Sequence, residues 1–190
     1  MSATLEERLN QILPRITSPE FLGNKGLGNE IGFWIFDYPP DREMDVRAFV
    51  SSVVMPALAK ASIKAAEINL FQLSIGLLEE RKLLDRAIDM QTTKGNEAAL
   101  APLRSVLKED KLAQRIASLV NLDELQVLIL TGVGAAYPML RSHTLLTALH
   151  SVMNSTPLLM FYPGRYDGFS LRLFNKLADD HYYRAFRLVE

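Results

Sequence analysis

The sequence predicts an α/β protein in which helices flank a mostly parallel sheet of about five strands, in a single domain spanning residues 1–190. Apolar runs without polar alternation, typical of strands covered on both faces, occur at residues 31–36, 127–130 and 158–162. Between these runs, apolar residues recur at helical spacing. Strands that alternate with helices along one chain form an open sheet with helices on both sides.

The first predicted element is a helix, which we expect to occupy residues 1–20 and to pack on the α/β core. Its apolar stripe stops before Pro19 and consists of Leu5, Leu9, Ile12, Leu13 and Ile16. A loop rich in glycine and asparagine, residues 23–29, then leads into the first strand.

The same two patterns predict the remaining elements. Helical spacing predicts helices over residues 43–65, 76–90 and 97–120, the last divided near Asp110, and a helix that includes residues 145–153. Strands are predicted at residues 68–73 and, from apolar runs, at residues 127–130 and 158–162, the last ended by Pro163 and Gly164. We expect a short helix over residues 170–177 and an edge strand over residues 182–189.

Composition excludes several classes of chemistry. The chain has no cysteine, which removes disulfides, thiolate nucleophiles and metal sites that need cysteine. Lys and Arg number 21 against 22 Asp and Glu, so the net charge is −1. The isoelectric point of 6.3 argues against bulk electrostatic binding to nucleic acid or anionic lipid.

The sequence shows no targeting or membrane segment. Glu6, Glu7 and Arg8 stand where a signal peptide would need an apolar core. No apolar run approaches the roughly 18–20 residues of a membrane span. We therefore expect a cytoplasmic protein.

The glycine loop at residues 23–29 does not match a phosphate-binding loop. A Walker A loop places a lysine and then Ser or Thr after its last glycine, between a strand and a helix. Here Lys25 precedes Gly26, and the loop leads into a strand. The predicted sheet is thus Rossmann-like or P-loop-like, but without a Walker A loop.

Residues 131–137 carry part of a dinucleotide fingerprint. Gly132 and Gly134 match two of its glycines, but Tyr137 replaces the third. A tight turn before a helix explains the same residues. Asp37 ends an apolar strand as a Walker B aspartate does, although an aspartate is also an ordinary first residue of a turn.

A ligand-binding hypothesis nevertheless follows from the fold class, because ligands of open α/β sheets bind at the carboxyl ends of the strands. In this hypothesis the protein is a regulatory subunit that binds a nucleotide or phosphate. The residues that would carry it are Asp37, Thr131, Gly132, Gly134 and Arg141.

The histidines do not predict a metal or catalytic site. His143 and His150 are seven residues apart, which places them about 10 Å apart on one helix, too far for a shared metal. The sequence has no G-x-S-x-G nucleophile turn either. We therefore assign no catalytic residue, no metal and no cofactor.

Arginine and tyrosine are frequent near the end of the chain, which is typical of protein–protein contacts. A nucleic-acid groove would show a larger excess of positive charge. The residues that we predict to contact a protein partner are Arg141, His143, Tyr162, Arg165, Asp167 and Arg172.

Several long segments resemble the BrxB family, and together they cover essentially the whole chain. They are residues 21–30 (FLGNKGLGNE), 36–38 (FDY), 130–134 (LTGVG), 137–138 (YP), 140–146 (LRSHTLL), 161–164 (FYPG), 166–168 (YDG), 171–174 (LRLF) and 182–188 (YYRAFRL). The motifs are long and unusual, so the resemblance is fairly specific.

The resemblance implies a small cytoplasmic component of a BREX bacteriophage exclusion system, without established catalytic activity. It also implies an adaptor that binds another component, first of all the PglZ-like member of the alkaline phosphatase superfamily. The regulatory ligand-binding subunit and a DNA-contacting subunit are the alternatives. Self-association into a homo-oligomer is compatible with each of these hypotheses.

Overall fold

The residues that the structure describes form seven β-strands, all in one sheet. The computed structural model describes residues 3–23, 32–153, 155–179 and 185–190. The strands are β1 Phe33–Tyr38, β2 Ala65–Asn69, β3 Val127–Thr131, β4 Leu158–Tyr166, β5 Leu171–Leu173, β6 Leu177–Asp179 and β7 Phe186–Arg187. The order is β2-β3-β4-β1-β7, and β5 and β6 extend the sheet from β4. As predicted, the last strand lies at an edge.

The sheet is mixed, which corrects the expectation of a mostly parallel sheet of about five strands. β1 is parallel to β4 and β7, and β3 is parallel to β2 and β4. β5, in contrast, runs antiparallel to β4 and β6. The Rossmann-like or P-loop-like character of the sheet stays a prediction.

Residues 170–177 do not form the expected helix, and Pro163 and Gly164 do not end β4. Gly164 lets the β5 backbone approach, because a Cβ at this position would overlap the Arg172 carbonyl oxygen. The backbone N–H of Phe174 donates to the Pro163 carbonyl at 2.9 Å. Leu171 and Leu173 therefore bury their side chains at the spacing of a strand.

The N-terminal segment forms three short helices: α1 Leu5–Asn10, α2 Ile12–Ile16 and α3 Pro19–Leu22. Thr4 and Glu7 form a capping box at the start of α1. Pro19 stands at the first position of α3 and does not simply end the preceding helix, because that position needs no backbone N–H. The apolar stripe of α1 and α2 packs on one face of the sheet, with Leu9 and Ile16 buried.

The remaining helices complete the two faces of the sheet. They are α4 Glu43–Phe49, a π-helical segment Val50–Val54, α5 Met55–Lys60, α6 Leu70–Glu80, α7 Leu84–Lys94, α8 Asn96–Val106, α9 Glu109–Leu119, α10 Val133–Ala136 and α11 Ser142–His150, besides a 3-10 turn Pro40–Arg42. The segment from α4 to α5 joins α1 and α2 in one apolar cluster. Helices α6, α8, α9 and α11 contribute to the cluster on the opposite face.

The predicted strand at residues 68–73 is wrong from Leu70 onward, since β2 ends at Asn69. The Asn69 side chain accepts a hydrogen bond from the Gln72 N–H at 3.1 Å, which caps α6 and starts the helix at Leu70. An apolar run of this length fits a strand or a buried helix equally well. The helix predicted at 76–90 is divided at residues 81–83, where Lys82 has a φ of 57°.

The division near Asp110 is confirmed by α8 and α9. None of the helices formed by the described residues is long and apolar enough to cross a membrane.

We expect Gly164→Ala to lower the free energy of unfolding by roughly 1–3 kcal/mol, because the added methyl group must displace the β5 backbone. Urea unfolding followed by circular dichroism measures the change. Gly76→Ala is the control: Gly76 lies in α6 with open space around it, so alanine should stabilise the protein by about 0.5–1 kcal/mol. Equal effects of the two substitutions would contradict the steric explanation.

Candidate functional site

Asp37, at the carboxyl end of β1, is buried, with 6% of its surface exposed. Its Oδ1 accepts a hydrogen bond from Arg8 Nη2 at 2.6 Å. Its Oδ2 accepts from the backbone N–H of Tyr166 at 2.9 Å and from Arg187 Nη2 at 3.4 Å. Removing a carboxylate from water is costly, and these donors offset that cost. Both oxygens are therefore occupied by the protein itself.

Arg8 extends this contact to two further parts of the chain. Its Nη1 donates to the Asp37 carbonyl at 2.8 Å and its Nη2 to the Val189 carbonyl at 3.3 Å. The guanidinium carbon lies 4.9 Å from the centre of the Phe36 ring, within cation–π range. Asp37, which the sequence marked as a ligand candidate, thus joins α1, β1 and the last residues of the chain.

Thr131, at the end of β3, is also engaged within the fold. Its hydroxyl donates to Glu67 Oε1 at 2.7 Å, which links β3 to β2. Thr131 is 3% exposed. It therefore supports the sheet edge.

The two glycines of the partial fingerprint have packing roles. Gly132 has a φ of 70°, in the left-handed region that favours glycine, and a Cβ there would overlap the Asn69 side chain. A Cβ on Gly134 would lie 2.9 Å from both Phe174 Cε1 and Pro163 Cγ. The interpretation of this segment as a tight turn before a helix therefore explains both glycines.

A cavity of about 530 Å³ opens just beyond the end of β3 and beside the middle of β4, and we name it the carboxyl-edge cavity. Its polar lining includes Arg141, His143, Tyr162 and Lys176. Arg141 directly precedes α11 and His143 lies in its first turn, whereas Tyr162 belongs to β4 and Lys176 to the turn before β6. Of the five residues of the ligand hypothesis, Arg141 is the one that lines this cavity. Three of the six predicted partner-contact residues line it as well.

The other three predicted partner-contact residues lie together on the β4–β5 hairpin. Arg165 and Arg172 are directly opposite each other on the two antiparallel strands, and both are exposed. Phe169, at the tip of the hairpin, is 69% exposed. We name Arg165, Phe169 and Arg172 the hairpin surface. Asp167 lies beside it, in the loop that connects the strands.

The six residues thus form two groups, and strand alternation separates them. Successive side chains of a strand point to opposite faces. Leu173 lines the carboxyl-edge cavity, whereas its neighbour Arg172 faces away from it. The predicted partner site is therefore divided between the two sides of one hairpin.

Asp167 fixes the conformation of the hairpin tip. Its Oδ1 accepts hydrogen bonds from the backbone N–H groups of Ser170 and Phe169 at 2.7 and 2.9 Å, and its Oδ2 accepts from the Ser170 hydroxyl at 3.0 Å. These bonds, first of all the one from the Ser170 backbone, lower the pKa of Asp167 to about 2. The carboxylate therefore stabilises the loop that carries Phe169.

The histidines have different surroundings. His143 is half-buried at the carboxyl-edge cavity. His150 packs edge-on against Phe33, with the ring centres 5.8 Å apart. His181 and residues 24–29 of the glycine loop lie outside the described residues.

Sequence reasoning missed Arg8, Phe169 and Lys176. Nothing local marks Arg8, because its partners Asp37 and Val189 are distant in sequence, or Lys176, because the other residues that line the cavity with it come mostly from distant parts of the chain. Phe169 had a detectable signal, since an aromatic residue directly after Asp167 and Gly168 occupies a turn and has little chance of burial.

We expect Asp37→Asn to lower the free energy of unfolding by about 3 kcal/mol, because Arg8 and Arg187 would lose their shared carboxylate. Urea unfolding measures the difference. Glu124→Gln is the control: Glu124 pairs with Lys64 at 2.9 Å, but both side chains are exposed, so little change is expected. A small effect of both substitutions would refute the supporting role of Asp37.

We also expect the hairpin tip to loosen in acid. Folding lowers the pKa of Asp167 from 3.8 to about 2. The Asp167 carboxylate therefore stabilises the folded loop fully above pH 3.8, and this stabilisation is lost as the pH falls towards 2. The Ser170 and Phe169 amide resonances, followed by NMR, should shift between pH 4 and pH 2. In Asp167→Asn that shift should vanish, and a persisting shift would assign the titration to another group.

Comparison with known proteins places the chain in a family. The family model described as BREX protein BrxB matches residues 66–188. A BREX protein BrxB of Bacillus cereus (strain H3081.97) is 42% identical over 190 residues, which covers 98% of this chain and 98% of that protein. One of Escherichia coli O9:H4 (strain HS) is 44% identical over 185 residues, which covers 97% of this chain and 92% of that protein.

No solved structure matches the chain. The family model covers more than half of the sequence, and the two relatives align over nearly their full lengths. This chain therefore belongs to the BrxB family of BREX proteins.

Proposed function

We propose that this protein is a non-enzymatic adaptor of a BREX phage-defence system and that it binds another BREX component through the hairpin surface. The observation that carries the proposal is the direct opposition of Arg165 and Arg172 on neighbouring strands. Like charges in this position destabilise a sheet. Among the described residues, neither arginine has an ion-pair partner, so an acidic surface on another molecule would relieve their repulsion.

Phe169 adds the second element of a protein-binding surface. Arginine and large aromatic residues contribute most of the binding energy in many interfaces. Phe169 is exposed at the end of a loop whose conformation Asp167 already fixes, so little ordering is needed on binding. The hairpin surface thus favours a partner with an acidic patch beside an apolar pocket.

The PglZ-like phosphatase-superfamily component is the partner that we propose first, because the family resemblance implies it. Within the cell, the cytoplasm would be the place of this assembly. The non-enzymatic role is supported by the occupied oxygens of Asp37 and by the absence of cysteine from the sequence.

Arg165→Glu combined with Arg172→Glu should reduce recovery of the BREX partner at least tenfold when the tagged protein is purified from its native host at moderate salt. The charge-matched control combines Lys60→Glu with Arg86→Glu, two exposed cations on α5 and α7. The control should recover the partner as the unchanged protein does. Equal recovery by both double variants would rule out the hairpin surface.

Phe169→Ala provides an independent test of the apolar part of the surface. Met44, on α4, is equally exposed at 69%, so Met44→Ala is its matched control. We expect Phe169→Ala alone to weaken capture, with unchanged circular dichroism. Light scattering of the purified protein gives its oligomeric state. If the purification recovers DNA instead of a protein partner, the result would count against the adaptor role.

A further inference from the structure

The carboxyl-edge cavity has the size and the charge of a site for a small phosphorylated molecule. Its volume of about 530 Å³ lies within the range of roughly 300–1,000 Å³ that is usual for small-molecule sites. It lies just beyond the carboxyl end of β3, where open α/β sheets bind ligands, and beside Tyr162 in the middle of β4. We propose that this cavity binds a nucleoside monophosphate or a molecule of the same chemistry.

Two cationic side chains from separate elements lie at the cavity. Arg141 precedes α11, and Lys176 belongs to the turn between β5 and β6. Neither has an ion-pair partner among the described residues, and those that line the cavity include no Asp or Glu. Glu109, which accepts a hydrogen bond from Thr144 at 2.7 Å, is not one of the lining residues. The charged side chains among the described lining residues are therefore cationic, which favours an anion.

Lys176 reaches the cavity through an unusual turn. Phe174 and Asn175, just before it, have φ values of 54° and 59°, in a region that a phenylalanine rarely adopts. The Phe174 ring packs edge-on against Tyr137, 6.2 Å between centres, which holds the turn in place. Such strain persists only where the surrounding structure maintains it, and it is concentrated at functional sites.

The rest of the lining combines polar and apolar side chains, and its apolar part favours a ligand with a ring over free phosphate. Val133, Leu140 and Leu173 contribute side chains, and the aromatic ring of Tyr137 lies at the same cavity. An aromatic side chain can stack on the face of any base. Phosphate near Arg141 and Lys176, with a base against the apolar lining, accounts for both halves of the cavity.

Isothermal titration with AMP, inorganic phosphate and adenosine tests this proposal on the full chain. AMP should bind most tightly, and its affinity should fall as salt is added. Arg141→Ala combined with Lys176→Ala should weaken AMP binding at least tenfold. Lys60→Ala combined with Arg86→Ala removes the same charge elsewhere and should change the affinity less than twofold. Because Lys176 is exposed, Lys176→Glu alone should also abolish AMP binding without loss of folding.

Three results would overturn the proposal: no heat with millimolar AMP, equal AMP affinity in the two double variants, or adenosine binding as tightly as AMP. The outcome is independent of the adaptor role, since the cavity and the hairpin surface lie on different sides of β5. Loss of partner capture with intact AMP binding, or the reverse, separates the two proposals.

Discussion

The ion pairs of Asp37 are the contact on which the rest of the structure depends. β1 lies between β4 and β7, so its carboxyl end is surrounded by protein, and a carboxylate there must find its donors within the chain. Arg8 comes from the first helix and Arg187 from the last strand. One buried charge therefore holds the first helix and the last strand on β1. The same contact occupies the position that a ligand would take at β1 and engages Tyr166 at the end of β4, whereas the cavity opens beyond the end of β3.

The β4–β5 hairpin determines what the protein presents on each side of that edge. Because β4 continues past Pro163 and Gly164, it pairs with β5 and carries Arg165 opposite Arg172. The inward residues of the same strand contribute to the apolar core and to the cavity wall. A single two-stranded extension thus carries both the hairpin surface and part of the cavity wall, and alternation along β5 keeps them apart.

The stretch that the family model matches contains both the cavity and the hairpin surface. The matched residues 66–188 include the cavity, the hairpin surface and Arg187, whereas Arg8 and Asp37 precede them. Both relatives extend over nearly the whole chain, including the N-terminal helices. The elements that we connect with function therefore fall within the stretch that the family model matches.

Much of the architecture could be predicted from the sequence, because apolar periodicity reports burial directly. This periodicity predicted three kinds of feature: the strands β1, β3 and β4, the division between α8 and α9, and the apolar stripe of the N-terminal helices. The prediction from local apolar patterns was wrong where the same pattern fits two kinds of secondary structure. Residues 70–73 fit a strand as well as a helix, and the Asn69 cap selects the helix. Residues 170–177 form a hairpin because β4 is beside them, which no local signal reveals.

The site residues divide in the same way. Their chemical types were visible in the sequence. Residues distant in sequence determine which arginines oppose each other, which aspartate is buried and which lysine reaches the cavity. Only the tertiary structure decides those contacts.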